Sequence, residues 1–475
     1  MPLLARGSLE QLLKDQEHCP QEDNVMQTAS RMRLLLGTVT VLVSFALISY
    51  AALSMFTADE LDVLSEELST CNSSCRMEYV ESIPTGLNFS EGPSNRPTHE
   101  AWLELLSGSS RSIHIAALYW NLNSTEYPTA AVGRDVFSRL VDAGKRGVDI
   151  RIAQDVSKGM SDNNDSKWLA DSGLAQVRTL NFTRLLGSGV LHTKFIVVDQ
   201  RHLYIGSANM DWKSLAEVKE LGLYIQDCPC LAADLLRIFA VYWHLGQEAA
   251  VIPQKWPSIF ETAFNMSAPM QLTWSGVETD VFLSSSPAAF NPNGREHDLQ
   301  TIVSLISSAR RSVCVAVMDL IPQTLYMGRN NSYWPDIDDA LRSAAFRGVS
   351  VRLLVSHWDH SRAEELAFLR SLLAINDGLP KGGYRGGGRI SVRLFTVPSS
   401  AEQSKISFAR VNHNKYMVTD RAAYVGTSNW AGDYFISTAG VGVSMTSRDG
   451  KGVVQQLQDV FDRDWNSRYA ADLTL

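Results

Sequence analysis

Two short segments of this 475-residue chain carry the same set of reactive side chains. The first runs His192-x-Lys194-x4-Asp199-x6-Gly206-Ser207-x-Asn209, the second His413-x-Lys415-x4-Asp420-x5-Gly426-Thr427-x-Asn429. In a His-x-Lys strand both side chains point to one face, about 7 Å apart, so His can reach a phosphorus while Lys holds a non-bridging oxygen. Two histidines, one neutral and one protonated, supply a nucleophile and an acid for the leaving alkoxide at mildly acidic pH. Lys194, Lys415, Asn209 and Asn429 are the candidate phosphate-binding groups, with Ser207 and Thr427 as further neutral donors. Gly206 and Gly426 would let backbone approach an anion closely. Asp199 and Asp420 complete the candidate catalytic set, either orienting neighbours or sitting in buried ion pairs. This chemistry is phosphodiester cleavage, and it needs no metal or cofactor.

The elements that hold these motifs repeat as well. Arg111-Ser-Ile-His-Ile-Ala-Ala-Leu matches Arg311-Ser-Val-Cys-Val-Ala-Val-Met, and Arg146-Gly-Val-Asp-Ile-Arg-Ile matches Arg347-Gly-Val-Ser-Val-Arg-Leu. Gln176-Val-Arg-Thr-Leu matches Ser391-Val-Arg-Leu-Phe, and the first His segment matches the second. Each block is a β-branched run bounded by Gly or Asp, hence a strand. Helical patterns such as Ala130–Gly144 and Ile337–Phe346 lie between the blocks. The fold class is therefore α/β, with two homologous halves, 79–275 and 276–475, each a mixed β-sheet flanked by helices. A duplicated unit packs with pseudo-two-fold symmetry, so residues near the axis meet their own counterparts. The blocks are spaced more widely in the second half, placing an insertion at the Gly-rich stretch Gly382–Gly388. Tyr119, Trp120, Trp212 and Trp430 flank the motif strands and are read as core before base-stacking groups.

Composition narrows the class further. A formal net charge of −8 excludes a global polybasic coat for nucleic acid or membrane, so a polyanion must be gripped locally. Leu34 to Phe56 is an uncharged run long enough to span a bilayer. A cleaved signal peptide is the other reading, but a polar tail, 1–33, precedes the run, which favours an uncleaved anchor. Arg31 and Arg33 before it and Asp59, Glu60 and Asp62 after it orient the chain as a type II membrane protein with a lumenal stalk, 57–78. The sequons at Asn72, Asn88, Asn123, Asn164, Asn181, Asn265 and Asn330 all follow the anchor. Cys71 and Cys75 are expected to bridge Cys230 and Cys228, in the nested order Cys71–Cys230 and Cys75–Cys228 of antiparallel segments, zinc being the weaker alternative. Cys314 reads as a buried thiol and Cys19 as a cytosolic one.

The doubled motif resembles the His/Lys/Asp signature of the phospholipase D superfamily. Val80-Glu-Ser-Ile-Pro-Thr-Gly-Leu, Gly206-Ser-Ala-Asn-Met-Asp-Trp, Phe239-x-x-Tyr-Trp, Trp334-Pro-x-Ile-Asp-Asp and Gly426-Thr-Ser-Asn-Trp look like the branch of the phospholipase D three and four exonucleases. That resemblance implies an endolysosomal type II glycoprotein acting as a 5′→3′ exonuclease on single-stranded DNA and RNA. It also implies a covalent phosphohistidine, with the second histidine as general acid and then base. Glu220 stands where many superfamily members carry a carboxylate that orients the motif histidine, and the second half offers only Thr438-Ala-Gly there. On that asymmetry His192 is expected to be the nucleophile, oriented by Glu220, with His413 as acid and base. Single-stranded nucleic acid with a free 5′ end, the membrane through the anchor, and a second copy of the chain as a homodimer are the expected partners.

Two other functions stay open on the sequence. A lipid phosphodiesterase or transphosphatidylase would use the same histidines on a lysophosphatidylglycerol-type lipid and would make bis(monoacylglycero)phosphate. A catalytically dead binding protein is the third, and the two intact motifs argue against it.

Overall fold

A computed structural model describes residues 33, 75–156, 162–274, 276–381 and 387–475. The anchor Leu34–Phe56, Cys71, Asn72 and most of the tail and stalk lie outside the described residues. The described residues from Cys75 onward form one compact unit, in which the apolar runs become two large mixed sheets.

The first sheet runs, strand by neighbouring strand, Arg96–Pro97, Arg76–Ser82, Glu220–Gln226, His202–Gly206, Phe195–Val198, Ser112–Ala117, Asp149–Asp155 and Gln176–Leu180. The second runs Met270–Trp274, Val277–Ser286, Gly440–Ser447, Ala422–Gly426, Lys415–Thr419, Ser312–Val317, Ser350–Ser356, Arg389–Phe395 and Ala470–Asp472. From Arg76–Ser82 and Val277–Ser286 onward, the two orders match strand for strand. Parallel pairing of Ser112–Ala117 with Asp149–Asp155, and of Ser312–Val317 with Ser350–Ser356, requires a crossover, which a helix supplies in each case. Helix Ala131–Lys145 buries Val136, Phe137, Leu140 and Ala143 at helical spacing, and Asp336–Phe346 does the same with Ile337, Leu341, Ala344 and Ala345. Gly147 at φ +85° and Gly348 at φ +90° follow these helices, where left-handed backbone ends the helix and only glycine adopts it freely.

The boundaries differ from those read in the sequence. Arg76–Ser82 is already a sheet strand, so the first unit starts within the expected stalk rather than at 79. Met270–Trp274 forms a hairpin with Val277–Ser286 and belongs to the second sheet, so the division falls before 270. The added length of the second half is also divided. Part lies in the helix Ala363–Ala374 and the turn Ile375–Gly378, and part in the connection Thr396–Asn414, longer than its counterpart Asn181–Lys194; of the Gly-rich stretch expected to hold the insertion, residues 382–386 lie outside the described residues.

The halves are joined near the motifs by reciprocal backbone bridges, Leu191 with Ala439 and Asn412 with Lys219. Below this seam lies a buried ion cluster: Lys219 pairs with Asp464 at 2.7 Å and Glu81 at 3.4 Å, and Arg463 pairs with Glu81 at 2.6 Å and Asp464 at 2.8 Å. Cys75 and Cys228 form the expected disulfide, tying the start of the strand Arg76–Ser82 to the helix Pro229–Leu245. The expected partner of Cys230, Cys71, is not among the described residues. Cys314 is buried and free.

Candidate active site

Both motifs reach one cleft of about 540 Å³ through His192 and His413. Its floor and walls include Tyr119, Asn209, Glu220, Asp319, Asn429 and Tyr434. Neither motif histidine lies on a regular strand, which begins at Phe195 in the first half and at Lys415 in the second. The reason is the seam: His192 donates its backbone N–H to Ala439 O at 2.9 Å, and His413 donates to Lys219 O at 2.8 Å. Each histidine is thus delivered by a segment that has left its own sheet to pair with the other half.

The two imidazoles are held differently. His192 Nδ1 lies 2.8 Å from the backbone carbonyl of Thr427, which can only accept, so Nδ1 carries the proton and Nε2 keeps its lone pair when the ring is neutral. His413 Nδ1 sits 2.9 and 3.0 Å from the two carboxylate oxygens of Glu220. This corrects the sequence reading: Glu220 orients His413 of the other half, not His192. The side chain leaves the first sheet at the seam and points across it, where Ser214 Oγ also donates to it at 2.8 Å. Strand register makes Gly440 the counterpart of Glu220, opposite Ser286 as Glu220 is opposite Ser82. A side chain at Gly440 would run into Ser428 Oγ, so the second half has no room for a matching carboxylate.

Charge follows the same division. Burial, with Lys194, Lys415 and His413 nearby, pushes His192 well below its ordinary range, which keeps it neutral. Burial also lowers His413, but Glu220 pulls it back upward. Burial works to raise the Glu220 carboxyl, yet His413 and Lys415 outweigh it and hold it ionised. Burial and Lys415 depress Lys194, and burial depresses Lys415 against the pull of Glu220 and Asp319. Each ammonium donates to its own motif carbonyl, Lys194 to His192 O at 2.6 Å and Lys415 to His413 O at 2.7 Å, which fixes it beside its histidine.

Asp199 and Asp420 sit at the far ends of the motif strands and do not line the cleft. Asp199 accepts the backbone N–H groups of Ser110, Arg111 and Ser112 at 2.7 to 2.9 Å, and Asp420 those of Arg310, Arg311 and Ser312 at 2.9 to 3.4 Å. Both clamp the turn into the neighbouring strand and leave no role in the chemistry. Gly206 and Gly426 serve strand packing rather than an anion: a Cβ at Gly206 would lie 2.5 Å from Gly222 Cα, and one at Gly426 would meet the Tyr424 hydroxyl. The Ser207 and Thr427 hydroxyls accept the neighbouring strand's N–H groups of Leu221 and Val441, at 3.0 Å each. Asn429 donates to Asp319 at 2.8 Å and to the Tyr434 hydroxyl at 3.1 Å, while Asn209 keeps a buried amide oxygen without a partner. Trp120, Trp212 and Trp430 are core; Tyr119 lines the cleft and donates to Asp211 at 2.9 Å.

Several cleft residues gave no signal in the sequence. Asp319 occupies the position that Tyr119 holds in the first repeat, and burial raises its carboxyl to about 6. Trp358, His360, Arg362 and Phe408 come from the longer connections of the second half and line the mouth. Their hint was the added length itself, since insertions at the ends of strands often carry recognition.

A family profile described as PLD3/4, PLD-like domain, matches residues 90–400. The probable phospholipase D F09G2.8 of Caenorhabditis elegans is 51% identical over 432 residues, covering 91% of this chain and 77% of the relative. The 5′-3′ exonuclease PLD3 of Homo sapiens is 44% identical over 409 residues, covering 85% of this chain and 82% of the relative. That of Xenopus tropicalis is 40% identical over 470 residues, covering 97% and 93%. Among solved structures, the phosphatidylserine synthase of Haemophilus influenzae Rd KW20 shares the fold, with a TM-score of 0.52 at 13% identity over 79% of this chain and 85% of that one. With two His/Lys motifs facing one cleft and matches of this extent, the chain belongs to the phospholipase D-like family of PLD3 and PLD4.

Proposed function

We propose that this chain is a phosphodiesterase that degrades single-stranded DNA and RNA from the 5′ end, by way of a phosphohistidine on His192. The observation that carries the reading is the unequal support of the two rings, a carbonyl for His192 and a carboxylate for His413. Neutral His192 attacks phosphorus through Nε2 as the bond from phosphorus to the leaving alkoxide breaks. His413, whose charged form Glu220 favours, gives its Nε2 proton to that oxygen. His413, now neutral, takes a proton from water; the water oxygen attacks phosphorus and the bond to His192 breaks, restoring both rings. Lys194 and Lys415 balance the charge that grows on the non-bridging oxygens. The direction of attack and the polymer substrate come from the relatives' names, and a lipid phosphodiester remains the alternative because the same groups would serve it.

The test is a parallel digestion by the purified full chain at pH 5.5, with 5′-labelled single-stranded DNA and a phospholipid vesicle, each in EDTA. Stepwise shortening of the DNA from its 5′ end is expected, undiminished by the chelator. Lipid turnover with intact DNA would sink the nucleic-acid reading, and loss of both activities in EDTA would sink the metal-independent mechanism.

The same proposal extends to setting and symmetry. Pseudo-two-fold packing of the halves is supported by the matched strand orders and the reciprocal bridges at the seam. A lumenal, lysosomal site behind the anchor Leu34–Phe56 is supported by the disulfide Cys75–Cys228 and by the exposure of Asn88, Asn123, Asn164, Asn181 and Asn330. Asn265 is half-buried. Glycan removal from intact membrane vesicles checks this: the chain should gain mobility only after the vesicles are opened, and a shift with sealed vesicles would reverse the topology.

A further inference from the structure

One wall of the cleft contains an aromatic group that the mechanism does not use. Phe408 is 63% exposed, yet its backbone is held at φ +56°, a region that non-glycine residues rarely enter. An exposed ring gains nothing from core burial, so its strained placement needs another reason. The placement is enforced from both halves. Arg410, itself at φ +56°, donates from its guanidinium to the Glu217 carboxylate at 2.8 Å and to Thr85 O at 3.0 Å, and from its backbone N–H to Glu217 O at 3.0 Å. Lys213 Nζ holds Ser407 O at 3.2 Å. The Phe408 ring stacks on exposed His360, with centroids 4.7 Å apart and planes 17° apart, and His360 stands edge-on to half-buried Trp358 at 4.7 Å. All three line the cleft that holds His192 and His413, and Phe408 belongs to the segment that ends in His413.

We propose that Phe408, with His360 and Trp358 behind it, is the stacking platform for a nucleobase next to the phosphate between His192 and His413. This inference rests on the nucleic-acid reading above. Aromatic faces accept any base, because every base presents a π-face, so the platform grips single strands without reading sequence and excludes bases already paired in a duplex. The first half contributes Tyr119 as its aromatic lining residue, so the platform stands on one side of the bound phosphate. One-sided stacking admits a strand in one polarity, which is what degradation from one end requires.

The experiment measures kcat and KM of the full chain on a single-stranded oligothymidylate and on versions with one abasic site at each of the first three nucleotides. Phe408→Ala should raise KM about tenfold with little change in kcat, the effect of losing one stacked base. Phe408→Trp should restore KM. Phe408→Gly relieves the positive φ and serves as the second variant if the alanine form folds poorly; it should match the alanine phenotype. In the native protein one abasic position should raise KM by a similar factor, and Phe408→Ala should lose that discrimination. A KM within twofold of native in both Phe408→Ala and Phe408→Gly overturns the platform, as does an equal penalty on abasic and base-bearing strands. If the native chain leaves the oligothymidylate intact and cleaves phospholipid, the nucleic-acid reading has failed instead, and the platform falls with it.

Discussion

His413→Asn is expected to slow turnover of single-stranded DNA by about 10²- to 10⁴-fold, the usual contribution of a positioned proton donor, whereas His192→Asn should leave no measurable turnover. The difference follows from what each ring provides. His192 presents an unprotonated Nε2 because Thr427 O takes its Nδ1 proton and because the buried, cationic surroundings resist a second one. Without it no atom attacks phosphorus. His413 supplies a proton to the leaving oxygen, a need that depends on how basic that oxygen is. On a p-nitrophenyl phosphodiester, whose leaving group departs unprotonated, His413→Asn should therefore retain a burst of p-nitrophenol and His192→Asn should not. Acid-quenched enzyme should carry phosphate on His192; finding it on His413 would exchange the roles. The pH profile checks the same division. Activity should fall on the alkaline side as His413 loses its proton and on the acid side as His192 gains one. Burial lowers both rings, so the optimum is expected below the ordinary histidine range. Glu220 works to raise His413, so Glu220→Gln should move the alkaline limb to lower pH and cost more activity near pH 6 than at pH 4.5. An alkaline limb that stays in place in kcat/KM would show that His413 is not the acid.

The second large effect concerns stability. Lys219→Met is expected to destabilise the fold by about 3–5 kcal/mol, the cost of stripping one partner from a buried ion cluster. The Lys219 and Asp464 side chains are fully buried, and those of Glu81 and Arg463 nearly so, with two cations balancing two anions. Removing Lys219 leaves one negative charge without compensation in a region water does not reach. The double variant Lys219→Met/Asp464→Leu removes one charge of each sign and should recover part of the loss, a coupling that urea titration measures directly. A loss under about 1 kcal/mol in the single variant would mean that water enters the cluster and screens it. The cluster also suits an acidic setting. Burial works to raise Glu81, but Arg463 and Lys219 hold it far below an ordinary carboxyl, so its stabilising charge is complete above the unfolded value and fades only as pH falls through the folded one.

Local patterning reached far into this fold. The β-branched blocks became the matched strands, with Gln176 and Ser391 opposite Arg151 and Arg352 as the repeat implies. The helical stretches Ala130–Gly144 and Ile337–Phe346 formed within one residue of their expected ends. Periodicity is a local property, and burial of one face enforces it wherever the element lies. The motif histidines and lysines were legible for a related reason: a doubled His-x-Lys has few structural uses, and both copies meet in one cleft.

What spacing along the chain does not contain is which half a side chain faces. Glu220 follows the first motif closely, yet the seam turns it onto His413, so the carboxylate serves the other repeat. Asp199 and Asp420 share the motif spacing but finish strands that run away from the cleft, where they clamp turns. Phe408 and His360 lie far apart in sequence and meet as a stacked pair in a segment that Arg410 anchors to Glu217 across the seam. By itself, then, the sequence determined the reactive groups and the repeated framework, because those depend on residue type and local period. The tertiary structure alone decided partnership across the seam, because contacts between the halves arise from packing two sheets against each other and leave no period in the chain.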